Sequence, residues 1–527
     1  MILPLTINAI SVVVSLLFIL SKNNGVFTYT LDDAYIHLTL ARNYVDYGVF
    51  GIVPHQFSST TSSPLWSLIL IVLFSALGPN QYVPLFLNVL IANLLILYMW
   101  RTLTRDDIPS LYVFMSLTMM IFVISIINLI FSGLEHLLFI LFMVISLRIF
   151  SSEIITGTPS KSSMLQFYVL VALMVATRYE GLFVALTYAI LMAAKRMRIS
   201  AGIVLSAGIS PVVYGLISLS NGWFVVSDSL LVRTMHNQGP FDFLVNIPSA
   251  LISNPSILTL LAVSLGLLMM RHDRFTLNKE SAMCFVFVFV SLLHLEFLPT
   301  GWFFRYEAYL MALGLYAVTL QLKRYYPVID LMIFTPLKKP RLNPDATKRM
   351  LVFLIFIGMM AFPLVVRGDL ASVNVPNASN NIYEQQYQMA MFLNRYYSGK
   401  TIGMNDIGAA SFYANIECIG LFGLGNLDAA KAKMNGSYGE AFLQRMAEVY
   451  HIDIVVIYKT WFENIIPSEW ILVGNWTVQH NYVLGGTTVS FFATNKTEAT
   501  LLRSSLVDFY YQLPSDVIQA GNYTAYV

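Results

Sequence analysis

Charge is what this 527-residue chain has least of. Asp, Glu, Lys and Arg make up 11% of it, where an ordinary soluble domain carries about 25%. With 57% hydrophobic residues and a mean hydropathy of +0.67, the chain has too little polar surface to cover a water-soluble protein of this length. Cysteine is scarce too. Cys284 sits in an apolar run and Cys418 in the polar C-terminal part, which excludes a disulfide framework and a zinc cluster. The net charge of +2 says nothing about nucleic acid, but the lack of basic runs interleaved with aromatics argues against a nucleic-acid partner. There is no Walker loop, no G-x-S-x-G elbow, no dinucleotide fingerprint and no H-E-x-x-H pair. The N-terminal run Met1 to Leu20 lacks a basic leader and a small-residue cleavage site, so it is expected to stay as a first helix.

Long apolar runs are what remains. A membrane-spanning helix needs about 20 mostly apolar residues. Candidates are 2–21, 82–100, 110–131, 135–150, 164–180, 181–194, 199–219, 245–270, 281–298, 306–322 and 350–366. The expected architecture is an α-helical polytopic membrane protein, with about eleven transmembrane helices in residues 1–367 and an extracytoplasmic mixed α/β domain in 368–527. The run 64–77 is left out. It opens with Pro64-Leu65-Trp66, ends at Gly78-Pro79, and suits an interfacial or re-entrant helix.

Lys and Arg set the orientation. With the N-terminus cytoplasmic, the outer loops of the membrane part carry only Lys22, Arg42, Arg178, Arg233, Arg305 and Arg367, and the inner loops carry the rest. The chain is therefore expected to be multi-pass in the plasma membrane, with the C-terminal part outside. Asn-X-Ser/Thr sequons at Asn377, Asn435, Asn475, Asn495 and Asn522 all fall in that last part.

The odd polar residues then share one face. Asp32, Asp33, His37, Arg42, Glu135, His136, Arg178, Glu180, Arg233, Arg305 and Glu307 all fall at the outer ends of different helices. Such convergence is what a membrane-embedded site requires, while helix centres free of acids and bases argue against an ion-coupled pump. Asp32 and Asp33 have two readings. One is a general base made more basic by its neighbour and by the interface; the other is a helix N-cap with a first-turn acid. Helical phase places Asp33 and His37 on one stripe. Arg178, Arg233 and Arg305 stand in apolar settings and suit an anion, because guanidinium forks match phosphate oxygens. The His spacing supports no metal site.

Five strings come in order: Asp-Asp-Ala-Tyr-Ile at 32–36, Ala-Arg-Asn at 41–43, Ser-Ser-Pro-Leu-Trp at 62–66, Ser-Gly-Leu-Glu at 132–135 and Thr-Arg-Tyr-Glu-Gly at 177–181. Together they resemble the GT-C superfamily of polytopic glycosyltransferases, nearest to the branch with mycobacterial arabinofuranosyltransferases and lipid A aminoarabinose transferases. Asn405-Asp406-Ile407-Gly408-Ala409 is similar to the extracytoplasmic domain of that branch. The resemblance implies a polyprenyl-phosphate-sugar donor and a glycan, lipid or protein acceptor. Asp33 or Asp32 would be the base in an inverting transfer, and Arg42, Glu135, Arg178 and Glu180 match motif positions. No cofactor is implied, and a divalent metal stays open. Ser227-Asp228-Ser229 and Arg233 stand where relatives often read Pro-Asn-Thr and then Lys. The alternative is a transporter or flippase of a polyprenyl-linked sugar, which would move substrate and form no glycosidic product.

Overall fold

A computed structural model describes residues 1–227, 243–271, 276–338 and 344–527. Six helices in it are long and apolar enough to cross a membrane: Ile2–Lys22 (α1), Val83–Arg105, His136–Ile154, Met197–Ser220, Lys279–Phe297 and the apolar part of Met350–Tyr396. Large apolar side chains such as Leu205, Val212, Leu216, Phe356 and Phe362 lie exposed on their flanks, where only lipid tails can cover them. The chain is a multi-pass membrane protein.

Of the about eleven expected spans, six, or seven if a bent pair counts as one, reach full spanning length among the described residues. The other runs are helical but short or broken, for local reasons. Asn246–Ser253 and Pro255–Met269 meet at 103°, because Asn254 precedes a proline that has no N–H to continue the ladder. The run 110–131 splits at Ser125, which is left-handed with φ 66°. Arg178-Tyr179-Glu180 separates Lys161–Thr177 from Gly181–Ala193. The last short one, Ala308–Leu322, has 15 residues. Pro64–Leu77 (α3) is a 14-residue helix.

The polar part folds around a six-stranded mixed sheet. Its strands are Thr401–Met404 (β1), Glu417–Gly420 (β2), Ile454–Ile457 (β3), Ile471–Val478 (β4), Thr488–Ala493 (β5) and Val517–Gly521 (β6). The order is β2-β1-β3-β5-β4-β6, with β1 parallel to β2 and β3 and the remaining pairs antiparallel. Of the sequon asparagines, Asn435, Asn495 and Asn522 are exposed, whereas Asn475 lies inside β4 between two paired strands. Asn377 is half-buried, and the Ser379 of its sequon is fully buried against Thr28.

One helix belongs to both parts. Asp33–Tyr47 (α2) starts at Asp32 and stops at Gly48, whose φ of 72° suits the missing Cβ. Ala34, Tyr35, Leu38 and Ala41 pack into the membrane core. Ile36 and Leu40, one turn apart on the other side, pack into the core of the sheet domain with Phe392, Ile402 and Met404. Burial of such side chains contributes roughly 1.5–3 kcal/mol each.

The same helix grips Ala409–Tyr413 at both ends. The Asp32 carboxylate accepts the N–H groups of Gly408 and Ala409, both at 2.8 Å. Arg42 donates to the carbonyls of Ser411 at 3.0 Å and Phe412 at 2.6 Å. Acid at the N-terminus and base at the C-terminus match the dipole of that short helix. Hydrogen bonds from a charged group contribute about 1.5–3 kcal/mol. Arg42→Ala is therefore expected to cost about 2–3 kcal/mol and to lower the unfolding midpoint in detergent, followed by tryptophan fluorescence. Arg42→Lys should restore only part of it, because one ammonium cannot span both carbonyls.

Candidate active site

Beside α2 lies a cleft with about 470 Å³ of empty space, open to solvent included. Asp33, His37, Glu135, Arg178 and Arg305 line it, with Thr60, Ser62 and Tyr306. The sheet domain adds Leu424, so the wall is built from both parts of the chain. Chain regions more than 270 residues apart in sequence meet here, as in the Arg305–Asp33 pair.

The two aspartates are separated by geometry. Asp32 faces the sheet domain and spends both oxygens on Gly408 and Ala409. Asp33 faces the cleft, and its Oδ2 accepts from the Arg305 guanidinium at 2.6 Å. The Asp33 side chain keeps 41% exposure and Arg305 keeps 3%, so the acid is reachable and the cation is sunk behind it. Arg305 also stacks on Tyr306, with 5.0 Å from the guanidinium carbon to the ring centroid. Its Nε–H is buried with no partner among the described residues, an unspent donor.

Arg305 is held by an unusual turn. Gly301, Trp302, Phe303 and Phe304 are successively left-handed, with φ of 87°, 40°, 60° and 62°. Left-handed backbone costs roughly 1–2 kcal/mol for each residue with a Cβ, so the turn needs tethers. Asn128 donates to the Phe303 carbonyl, Arg367 to that of Phe304 at 2.8 Å, and Glu307 accepts the Gly301 N–H at 2.7 Å. Glu307 also pairs with Arg367. It therefore braces the turn behind Arg305 and is absent from the cleft wall.

Arg178 is spent. Its Nε and one terminal nitrogen fork onto both oxygens of Glu180, and the other terminal nitrogen donates to Glu135 Oε1 at 2.6 Å. The same nitrogen lies 2.9 Å from His136 Nε2. Since a guanidinium only donates, that His136 nitrogen accepts, and the ring is the Nδ1–H tautomer. Glu135 Oε2 is buried with no partner among the described residues. Two carboxylates on one guanidinium leave it little charge to offer an anion. The fork is well matched, but losing one partner of a buried pair costs about 3–5 kcal/mol.

Glu135 reaches the wall because of Gly133. At φ 70°, a Cβ there would lie 2.7 Å from the Tyr29 ring and 3.0 Å from Ala34 Cβ. The glycine lets the turn press onto α2, and Asn88 holds the Leu134 carbonyl at 3.0 Å. His37 Nδ1 pairs with Ser67 on α3 at 2.9 Å. Burial, foremost, pushes the His37 ring below its usual value, which keeps it neutral at pH 7.

The nominated residues thus divide. Asp33, His37, Glu135, Arg178 and Arg305 share the cleft wall. His136 and Glu180 stand behind Arg178, Glu307 braces the 301–304 turn, and Asp32 and Arg42 hold the sheet domain. Arg42, expected to bind substrate, has both terminal nitrogens engaged by Ser411, Phe412 and Asn43 and lies outside the cleft wall. Arg233 lies outside the described residues, as do Asp228 and His236. Sequence reasoning missed Leu424 and Arg367, and gave Asp406 no chemical role. Among the described residues no three His, Cys, Asp or Glu side chains are grouped to hold a metal ion.

Solved structures to which nearly the whole chain is similar include two proteins. One is the oligosaccharyltransferase AglB of Archaeoglobus fulgidus, in complex with an inhibitory peptide and a dolichol-phosphate. It has a TM-score of 0.50 and 14% identity, over 97% of this chain and 75% of that one. The other is ArnT of Cupriavidus metallidurans bound to undecaprenyl phosphate, with a TM-score of 0.51 and 10% identity, over 93% of this chain and 98% of that one. The fold is that of the GT-C superfamily. A sequence family described as a domain of unknown function (DUF8728) matches residues 380–492. No curated protein matches the sequence. Residues 380–492 include β1 to β4, most of β5, and Gly408 and Ala409, whose N–H groups bond Asp32.

Because Glu180 supplies half of the fork on Arg178, Glu180→Ala should destabilise the protein by about 3–5 kcal/mol. Glu180→Ala combined with Arg178→Met should recover much of that loss in a double-mutant cycle by thermal unfolding. Additive losses would show that the pair is not coupled.

Proposed function

We propose that this protein is a glycosyltransferase. It moves a sugar from a polyprenyl-phosphate-linked donor to an acceptor hydroxyl at the extracytoplasmic face, with inversion. Residues 1–367 would form the catalytic membrane part and 368–527 the outer domain. The observation that carries this reading is that Asp33, alone of the aspartate pair, faces the cleft beside a buried guanidinium with an unspent donor. The GT-C fold adds support, as do the polyprenyl phosphates named in the two similar structures.

In this reading the acceptor hydroxyl gives its proton to Asp33. Its oxygen attacks the anomeric carbon from the face opposite the phosphate. The bond from that carbon to the phosphate oxygen breaks, and the polyprenyl phosphate leaves with the electron pair. Arg305 offers its free Nε–H to the phosphate, and Arg233 is the candidate second cation. Arg178, neutralised by Glu135 and Glu180, positions Glu135 in the wall and does not carry the phosphate. Asp32 positions the outer domain.

The topology has a second support at the opposite end of the helices. Asp106 pairs there with Arg148 at 2.6 Å and with Lys279 at 2.5 Å, and Asp107 with Lys323 at 3.6 Å. These come from four loops that the Lys and Arg bias assigns to the cytoplasm.

Asp33→Asn should lower transfer by about 10²–10⁴-fold while leaving insertion and thermal stability near those of the unmodified protein. The check is mass spectrometry of the cell-envelope glycans of a deletion strain carrying each variant. Full restoration of the glycan by Asp33→Asn would sink the assignment. Translocation of a polyprenyl-linked sugar in proteoliposomes, without any glycosidic product, would favour the transporter instead.

A further inference from the structure

A loop of the sheet domain reaches the turn that carries Arg305. Residues 479–487 join β4 to β5. The tip of this loop, Asn481 to Leu484, lines one hollow together with Trp302 and Phe303 of the turn. The hollow has about 450 Å³ of space, open to solvent included. Leu484 is buried in the apolar core of the membrane part, and the half-buried Val483 and Phe303 pack against that same core. None of these residues lines the cleft beside α2, so the loop bears on the turn and not on the cleft itself.

Carboxamides give the loop its shape. Asn481 Nδ2 donates to the Leu484 carbonyl at 2.9 Å, and its Oδ1 accepts the Leu484 N–H at 2.8 Å, which closes the tip. Asn381 holds the loop from beneath. Its Nδ2 donates to the His480 carbonyl at 2.7 Å and its Oδ1 accepts the Tyr482 N–H at 2.7 Å. Four residues on, Gln385 donates to the carbonyls of Gly486 at 3.3 Å and Thr487 at 3.2 Å. Both amides are buried, on the helical run that leads from the membrane part into the sheet domain. A buried carboxamide is costly unless both its ends are paired, and Asn381 spends both on this loop. His480 and Tyr482 are themselves exposed, so burial alone does not fix the loop there.

The turn needs such a hold. Trp302, Phe303 and Phe304 are left-handed in succession, a strained arrangement that persists only where its surroundings enforce it. The tethers from Asn128, Arg367 and Glu307 all come from the membrane part and meet Gly301, Phe303 and Phe304. None of them meets Trp302, and the loop tip stands on that side. Arg305 follows Phe303 by two residues, so a turn that opens carries the guanidinium with it. We propose that the β4–β5 loop is a clamp on this turn, and that Asn381 is a positioning residue for the guanidinium that receives the donor phosphate. The phosphate part of this assignment rests on the transfer function above; the clamp itself does not. The clamp makes phosphate binding depend on a seated sheet domain, through backbone and apolar contact.

The test uses the full chain in detergent with undecaprenyl phosphate, free of sugar, as the titrant. Asn381→Ala removes both loop bonds and adds no charge. Two neutral hydrogen bonds correspond to about tenfold in an equilibrium constant, so the Kd should rise by about tenfold. Leu484→Ala, which loosens the tip without touching Asn381, should shift it in the same direction. Leu502→Ala, in the core of the sheet domain, should lower the Tm and leave the Kd in place. An unchanged Kd in both loop variants, with the unmodified protein binding, would overturn the positioning role. So would an equal loss of affinity in Leu502→Ala, which would trace the effect to general destabilisation.

A second arm needs no ligand. The Gly301 N–H, which Glu307 accepts at 2.7 Å, reports on opening of the turn by hydrogen exchange. In Asn381→Ala, peptides covering 479–487 and peptides covering 299–306 should both exchange faster than in the unmodified protein, and in Leu502→Ala the second set should not. Faster exchange confined to 479–487 would overturn the clamp whether or not undecaprenyl phosphate binds. Faster exchange in both sets, with no binding by the unmodified protein, would retain the clamp and reject the phosphate-linked donor.

Discussion

Two charges on one helix decide how the halves of this molecule meet. Asp32 and Arg42 lie ten residues apart on α2 and close on opposite ends of the five-residue helix Ala409–Tyr413. Everything at the cleft follows from that grip. It seats Leu424 in the wall, brings Asp406 towards the aspartate pair, and turns Asp32 away so that Asp33 alone faces the space beside α2. Apolar contact from Ile36 and Leu40 supplies affinity between the parts, whereas the two charged ends set the register, since carboxylate and guanidinium each fit only one end of the short helix.

Charge balance is the second constraint. The cleft wall holds Asp33 and Glu135 against Arg178 and Arg305, with Glu180 just behind. In an apolar setting each guanidinium must find an acid or an anion, and each has found one. Arg178 is saturated, while Arg305 retains a donor. Arg305 alone of the described pair has donor capacity left, and the acids do more structural work than their number suggested.

Much of this was legible in the sequence, and the reasons differ by element. Low charge and long apolar runs reveal membrane helices because lipid selects strongly for them. The ordered short motifs pointed to the right fold, and all but Ala41-Arg42-Asn43 contribute a residue to the cleft wall. The breaks inside two apolar runs were not legible: Ser125 and Pro255 interrupt them at points where composition barely changes. The partners of Arg42 were not legible, because a charged residue at helical spacing from an acid looks the same whether it meets a ligand or a carbonyl some 370 residues away. Asp406 was seen only as part of a turn, because nothing local tells which face of a distant helix a strand end will meet.

The buried hydroxyl of Ser379 has a consequence for the order of events during synthesis. It donates to the Thr28 carbonyl at 2.7 Å and also receives Asn23 Nδ2 at 3.0 Å, so in the finished molecule it lies under the exit of α1. A sequon needs that hydroxyl within reach of the modifying enzyme. Were the C-terminal part outside, as proposed, Asn377 would be open to a glycan only in the interval before the helix Val375–Ile382 settles against α1, and a glycan added there would block the settling. Occupancy at Asn377 would therefore count failed assembly, while occupancy at Asn435, in an exposed turn, would be indifferent to it.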